Sequence, residues 1–241
     1  MTTDRWTRAV RQQVGLGRIL PLGGARDGAW IAEQAVEAFL RRAAARGAPG
    51  VRLDRLRIGL ADPEDVGDPV VPPPPSALPP GPLRLTAEFA APAAQPLPAV
   101  ASLLRTALAE AAAERIGLAV AEVDLRVTEL LDAEPPGAPA APPASQGEPE
   151  AAPEPGDSEA GRVAAAALAV PGVTRLTGTL GRPVHLTGLP GGTALPRRHA
   201  RVDLAVRADA RPLDVARAVR SAVAASLPDH PTVAVLVTAL D

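Results

Sequence analysis

Cysteine, lysine, asparagine and tyrosine are absent from this 241-residue chain, and each absence excludes something. Without Cys there is no disulfide, no thiolate metal site and no cysteine nucleophile. Aromatic residues are scarce as well. Two Trp and two Phe make up 2% of the chain, so any core must be assembled from Val, Leu, Ile and Ala. All 25 basic residues are Arg, and the joint loss of Lys, Asn and Tyr reflects GC-rich coding rather than a chemical task. No apolar run approaches the roughly 20 residues that span a bilayer. The opening Met1-Thr2-Thr3-Asp4-Arg5-Trp6 is polar and carries no apolar signal core. The expectation is a soluble, cytoplasmic protein.

What the chain has in excess is proline (29) and glycine (21), concentrated in two stretches. Asp62 to Pro82 lacks hydrophobic periodicity and reads as a long loop within an N-terminal domain. Asp132 to Ala160, rich in Pro, Ala, Glu and Gly, holds seven acids and no base, and reads as a disordered interdomain linker. The expected organisation is a first domain at 1–131 with an N-terminal extension and the loop 62–82, the linker at 132–160, and a second domain at 161–241. Charge divides along the same lines. Residues 1–131 carry 15 Arg and 15 acids, whereas residues 161–241 carry 10 Arg and 5 acids, so an acidic tether joins a neutral half to a basic one.

Outside those stretches one pattern is written twice. In the first copy, Asp27 is read as the N-cap of a helix of about 19 residues running from Gly28 to Arg46, stopped by Gly47 and Pro49-Gly50. Ile31, Ala35, Ala38 and Phe39 share one face of it. Leu56, Ile58 and Leu60 alternate as a strand, and Leu83, Leu85, Ala87 and Phe89 as a second. Pro98 suits a first helical position, and the stripe Val100, Leu103, Leu104, Ala107, Leu108 and Ala111 runs to Gly117. Val123, Leu125 and Val127 then alternate with Glu122, Asp124, Arg126 and Thr128. In the second copy, Arg162 to Val170 is a short helix and Pro171-Gly172-Val173 repeats Pro49-Gly50-Val51. Val184 and Leu186 mark a first strand, Val202, Leu204 and Val206 a second. Asp214 to Val223 is a helix with a Val215, Val219, Ala222, Val223 stripe, and Val233, Val235 and Val237 form the last strand.

This order predicts an α+β fold of two small αββαβ domains. In each, the first two strands pair as an antiparallel hairpin. The second helix then carries the chain through a right-handed crossover to a third strand. The result is a three-stranded mixed sheet with two helices on one face. Units of this size bury only about 60% of their unfolded surface, and an open sheet leaves free edges, so association between sheets is expected.

Gly17-Arg18-Ile19-Leu20-Pro21-Leu22, the helix from Ala29 and Pro49-Gly50-Val51 resemble the start of the alkaline-shock-protein family of bacterial envelope-stress proteins. Val170-Pro171-Gly172-Val173, the strand at Arg201 to Ala208, Arg211 to Arg220 and the Val-rich closing strand resemble the rest of it, so the chain looks like a divergent tandem pair. The family usually has one such unit and a Tyr-Gly before the second helix, where this chain has Asp209-Ala210 and Pro92-Ala93. The resemblance implies a non-enzymatic, cytoplasmic protein without a cofactor. It would self-associate or dock on a membrane-anchored protein partner, peripheral to the membrane, and no catalytic residues carry over.

The residues themselves point the same way. His185, His199 and His230 are scattered, with no carboxylate at ligand spacing, so no metal site is expected. Ser221, His185 and Asp203 could be written as a triad, but no Gly-x-Ser-x-Gly elbow aims the serine. Gly15-Leu16-Gly17 and Gly188-Leu189-Pro190-Gly191-Gly192 lack the strand, helix and Lys of a phosphate loop. Arg197, Arg198, His199 and Arg201 form the densest basic cluster, which Arg207, Arg211, Arg217 and Arg220 extend. It is either a solvated face or a dock for something acidic: a partner, anionic lipid, RNA or this chain's own linker. An RNA- or ribosome-associated K-homology-like module is the alternative reading. Against it, Gly188 to Gly191 falls between strands rather than between helices, and the second half's charge excess is small for nucleic acid. The run Pro72 to Pro75 is either a spacer or a ligand for a partner groove.

Overall fold

The structure, a computed structural model, describes residues 16–132, 158–179, 181–189 and 197–241. Residues 1–15, most of the expected linker (133–157) and residues 190–192 of the glycine-rich stretch lie outside the described residues. The chain runs through β1 (Ile19–Pro21), β2 (Ala29–Ala32), α1 (Glu33–Gly47), β3 (Arg52–Leu60) and β4 (Leu83–Pro92). It continues through α2 (Leu97–Glu110), a π-helical turn (Ala111–Ile116) and β5 (Val120–Leu131). Then come α3 (Glu159–Leu168), β6 (Val173–Leu176), β7 (Val184–Leu189), β8 (Arg197–Val206), α4 (Pro212–Ser226) and β9 (Thr232–Leu240). The protein is a mixed α+β fold.

Two mixed sheets hold these strands. The smaller has the order β3-β4-β5, with β3 antiparallel and β5 parallel to the central β4. The larger has the order β1-β2-β9-β8-β6, and β7 also pairs with β8. Within it β8 and β9 are parallel, joined through α4 as β4 and β5 are joined through α2. Both β6 and β7 lie antiparallel to the same edge of β8, β6 at Leu204 to Val206 and β7 at Arg197 to Val202. Between them Asp203 bridges the break: its carbonyl accepts Thr177 N–H at 2.8 Å and its N–H donates to the Pro183 carbonyl at 2.9 Å. Val173 to Leu176 is thus a strand that sequence alternation did not reveal, and the single strand expected around Val184 is one of two pieces.

Helix α1 begins at Glu33, five residues later than expected. Ala29 to Ala32 form β2, fully buried and parallel to β9 between Ala29–Val235 and Ile31–Val237. Asp27 is therefore not an N-cap. Its Oδ2 instead accepts the Gly24 N–H at 2.7 Å, closing the β1–β2 turn. At the N-terminal end of α3 the linker boundary also moves. Ser158 caps α3, its hydroxyl accepting Gly161 N–H at 3.1 Å, so the last residues of the expected linker are helical. Gly117 ends the π-helical turn with φ of +100°, its N–H donating to Ala112 O at 3.0 Å.

One apolar core joins the two halves of the sequence. It takes in Leu20 and Ile31 from β1 and β2, Leu85 and Phe89 from β4, Leu104 and Leu108 from α2 and Val202, Val219 and Val235 from the second half. Helix α1 contacts β3 of the small sheet and β9 of the large one. On the other face of the large sheet a second cluster forms from Ile19, Trp30, Ala234 and Leu236, covered by Val71 with Ala77 beside it. The Pro-rich loop is therefore packed in place. Pro74 and Pro80 are buried, Leu78 N–H donates to Ile19 O at 2.8 Å, and Ala77 forms a parallel bridge to Ile19.

Candidate interaction surface

Strand alternation decides where the arginines of the second half go. On β8, Ala200, Val202, Leu204 and Val206 point into the main core, so His199, Arg201 and Asp203 share the opposite face. There Asp203 is fully buried and Arg201 nearly so, and Arg201 Nε donates to Asp203 Oδ1 at 3.0 Å. His185 on β7 lies directly beside Arg201, and His199 beside Thr232 of β9, with Nδ1 2.9 Å from the Thr232 hydroxyl. Burial, reinforced by the charge of Arg201, lowers the pKa of both histidines below the ordinary value of 6.5. His185 Nε2, Arg201 Nη2 and the indole N–H of Trp30 are buried without a hydrogen-bond partner. This is a structural polar inlay. Its guanidinium and carboxylate meet through one hydrogen bond inside the protein, and neither of the two hollows described below includes them.

The other cations named by the sequence are dispersed. Arg197 opens β8, and its side chain lies outside the described residues. Arg198 makes a two-pronged ion pair with Glu159 at 3.0 and 2.6 Å and reaches Asp229 at 3.4 Å, so the acid it meets is the last one of the expected linker. Arg207 pairs with Asp209. Arg211 donates to the carbonyls of Glu114 at 2.8 Å and Ala113 at 3.3 Å, closing the π-helical turn, and pairs with Asp214. Arg217 Nε donates to Asp27 at 2.8 Å. Arg220, half-buried, donates to Val233 O and Arg26 O, both at 2.9 Å, and to Asp27 O. The predicted cluster thus separates into local pairs, several of which tie α4 to the N-terminal half.

Open hollows do not gather chemistry either. One of about 530 Å³ is lined by Gly23, Gly24, Gly67, Gly81 and Ala119, with Asp65 as its titratable group. A second of about 370 Å³ contains Glu33, Glu37, Arg41 and Asp54. Each of those acids is engaged: Glu33 by the amides of Arg18 and Ile58, Glu37 by Arg41, Asp54 by Arg52. Among the described residues no group of three or more His, Asp or Glu is placed to hold a metal ion, and no helix is long and apolar enough to cross a membrane.

Sheet edges are treated unequally. At β3, Ile58 N–H donates to Glu33 Oε1 at 3.2 Å and Ile58 O accepts Arg18 Nη1 at 3.2 Å. Farther along β3, Arg41 takes the carbonyls of Leu53 at 2.5 Å and Asp54 at 3.0 Å. Side chains therefore plug this edge. The β1 edge is covered by the Pro-rich loop. Strand β5 is different: 12 residues long, it has no strand on its outer side among the described residues. Arg105 reaches over it, Nε to Val123 O at a long 3.4 Å. Two of its apolar residues, Val127 (38% exposed) and Leu130 (51%), face solvent. Sequence reasoning expected free edges in general. Which one stays open depends on side chains such as Glu33 and Arg41 that the pattern of β3 does not reveal.

Fold and surface together define an α+β protein with two mixed sheets on one core and, among the described residues, a long open strand edge at β5. No protein-family model matches the chain, and no curated protein matches its sequence.

Proposed function

We propose that this chain is a non-catalytic structural and interaction protein, two αββαβ units in tandem joined through an acidic Pro-rich tether. It works by associating with itself or with a membrane-anchored protein, in the manner of the envelope-stress proteins that its sequence resembles. The observation that carries the reading is the bare edge of β5, a row of backbone donors and acceptors beside exposed Val127 and Leu130. The recurrence of a helix, paired strands and a helical crossover to a parallel strand supports the tandem reading. The internal ion pairs of Arg198, Arg201, Arg211, Arg217 and Arg220 support a protein partner over RNA, since these cations already hold protein acids and carbonyls.

The test uses the full chain in two arms. Sedimentation velocity over a hundredfold concentration range reads self-association. Flotation with membrane vesicles from the native cell, intact or stripped by protease, reads docking on a membrane-anchored protein. Assembly with concentration, or protease-sensitive flotation, is the expected result. A strict monomer that floats with neither vesicle preparation overturns the reading.

A further inference from the structure

We infer that β5 is the self-association edge, and that two copies join there as an antiparallel pair centred on Leu125, merging their small sheets into one six-stranded sheet. This rests on the interaction reading above and names its surface. The argument begins with backbone direction. The Val123 carbonyl is taken by Arg105 from helix α2, so it points away from β4. The β4–β5 register is regular from Glu122 to Val127, so Leu125 and Val127 turn their N–H and C=O to the same outer side. Those are the groups that a second strand needs.

The side chains then choose the register. Antiparallel pairing about Leu125 sets Asp124 against Arg126 of the second copy, twice over by symmetry, in the close non-hydrogen-bonded positions. It also sets Val123 against Val127, Val120 against Leu130 and Glu122 against Thr128. Apolar residues meet apolar ones on one face, and opposite charges meet on the other. Moving the centre by one residue places Asp124 against Asp124 or Arg126 against Arg126, and moving it by two sets either Leu125 against Glu129 or Asp124 against Glu122. A self-complementary strand of this kind fits a copy of itself better than an unrelated peptide. The exposed 3.4 Å contact from Arg105 is weak enough for a strand amide to displace.

The experiment compares the full chain with D124R, R126D and the double variant D124R/R126D by sedimentation equilibrium, with amide hydrogen exchange on β5. Asp124 is 61% exposed, so its reversal leaves the protomer folded, which a melting curve verifies. The expected result is a dimer whose dissociation constant rises roughly tenfold or more in each single variant and returns close to the parent value in the double variant. The amides of Val123, Leu125 and Val127 should slow as concentration rises. A dimer indifferent to all three variants, with β5 amides that do not change, overturns the edge assignment and leaves self-association standing. A monomer at every concentration overturns both self-association and this edge. A monomer whose β5 amides are nevertheless protected overturns the second copy as occupant in favour of another segment.

Discussion

Asp27 accepts a hydrogen bond from Arg217 at 2.8 Å across 190 residues of chain, and so fastens the β1–β2 turn to helix α4. Arg220, one turn further along the helix, donates to the carbonyls of Arg26 and Asp27 in the same turn. These contacts, the β2–β9 pairing and the shared core tie the two halves of the sequence together. A chain cut at residue 132 would leave β9 without β2, one of its two parallel neighbours, and would part β1 and β2 from the rest of their sheet.

The Asp27–Arg217 pair itself is worth little, because Arg217 is 51% exposed. A double-mutant cycle with D27A and R217A should give a coupling of about 0.5 kcal/mol. D27A alone should cost about 1–2 kcal/mol in urea unfolding, since it also frees the Gly24 amide that the carboxylate holds. Burial pushes the Asp27 carboxyl up, but the hydrogen bonds from Arg217 and Gly24 and the charges of Arg217 and Arg220 outweigh it, leaving the pKa below 3.8. Its stabilising contribution is therefore complete above that value and lost as pH falls through the depressed one. D27N should remove that acid-side slope.

The buried Arg201–Asp203 pair is a different case. Asp203 is inaccessible to solvent, so R201M leaves a charge without its counterion, at a cost of about 3–5 kcal/mol by urea unfolding. The apolar replacement R201M/D203L should recover most of that loss, because Asp203 lies in a row with Leu236 of β9 and Trp30 of β2, where an apolar side chain packs. A double variant as unstable as R201M would show that the inlay holds the sheet in register rather than merely satisfying itself.

Much of this architecture was legible, and the failures have physical causes. Strands with one face buried, such as β4 with Leu83, Leu85, Ala87 and Phe89, declare themselves by alternation. The stripe of α2 and its stop at Gly117 declare themselves by helical period. Strand β2 does not, because Ala29 to Ala32 are buried on both sides and read as the first turn of the helix that follows. The packing of Val71 and Pro74 was hidden because a polyproline stretch has no period, though its rings are apolar. The arginine cluster misled for another reason. Neighbours in sequence on a strand point to opposite faces, and the partners of Arg198, Arg211 and Arg217 lie 39, 97 and 190 residues away.

His185 and His199 should make the fold acid-sensitive. Their pKa values are lowered in the native state by burial and by Arg201, which at His185 outweigh a backbone hydrogen bond at Arg182. Below about pH 6.5 the unfolded chain binds protons that the folded chain refuses, so stability is full above that pH and declines beneath it. Urea midpoints between pH 7.5 and 5 should fall, and H185Q/H199Q should flatten the curve in that window. An unchanged slope in the double variant would place the acid sensitivity elsewhere.

Glu33 guards the β3 edge, across the small sheet from the open edge of β5. Its carboxylate, 8% exposed at the start of α1, accepts the amides of Arg18 and Ile58 at 3.1 and 3.2 Å, so one side chain caps β1 and blocks β3 together. E33A strands two amides and should cost about 2–4 kcal/mol by urea unfolding, and E33Q less, since an acceptor oxygen remains. With R41A added, the carbonyls of Leu53 and Asp54 are released as well and β3 becomes a second bare edge. E33Q/R41A should then form open-ended oligomers that grow with concentration, because a small sheet with two free edges no longer closes at a pair. Adding D124R to that variant should halt growth at a closed species by disabling β5. Continued growth in the triple variant would mean that β3 alone, pairing with itself or unfolding locally, drives the assembly.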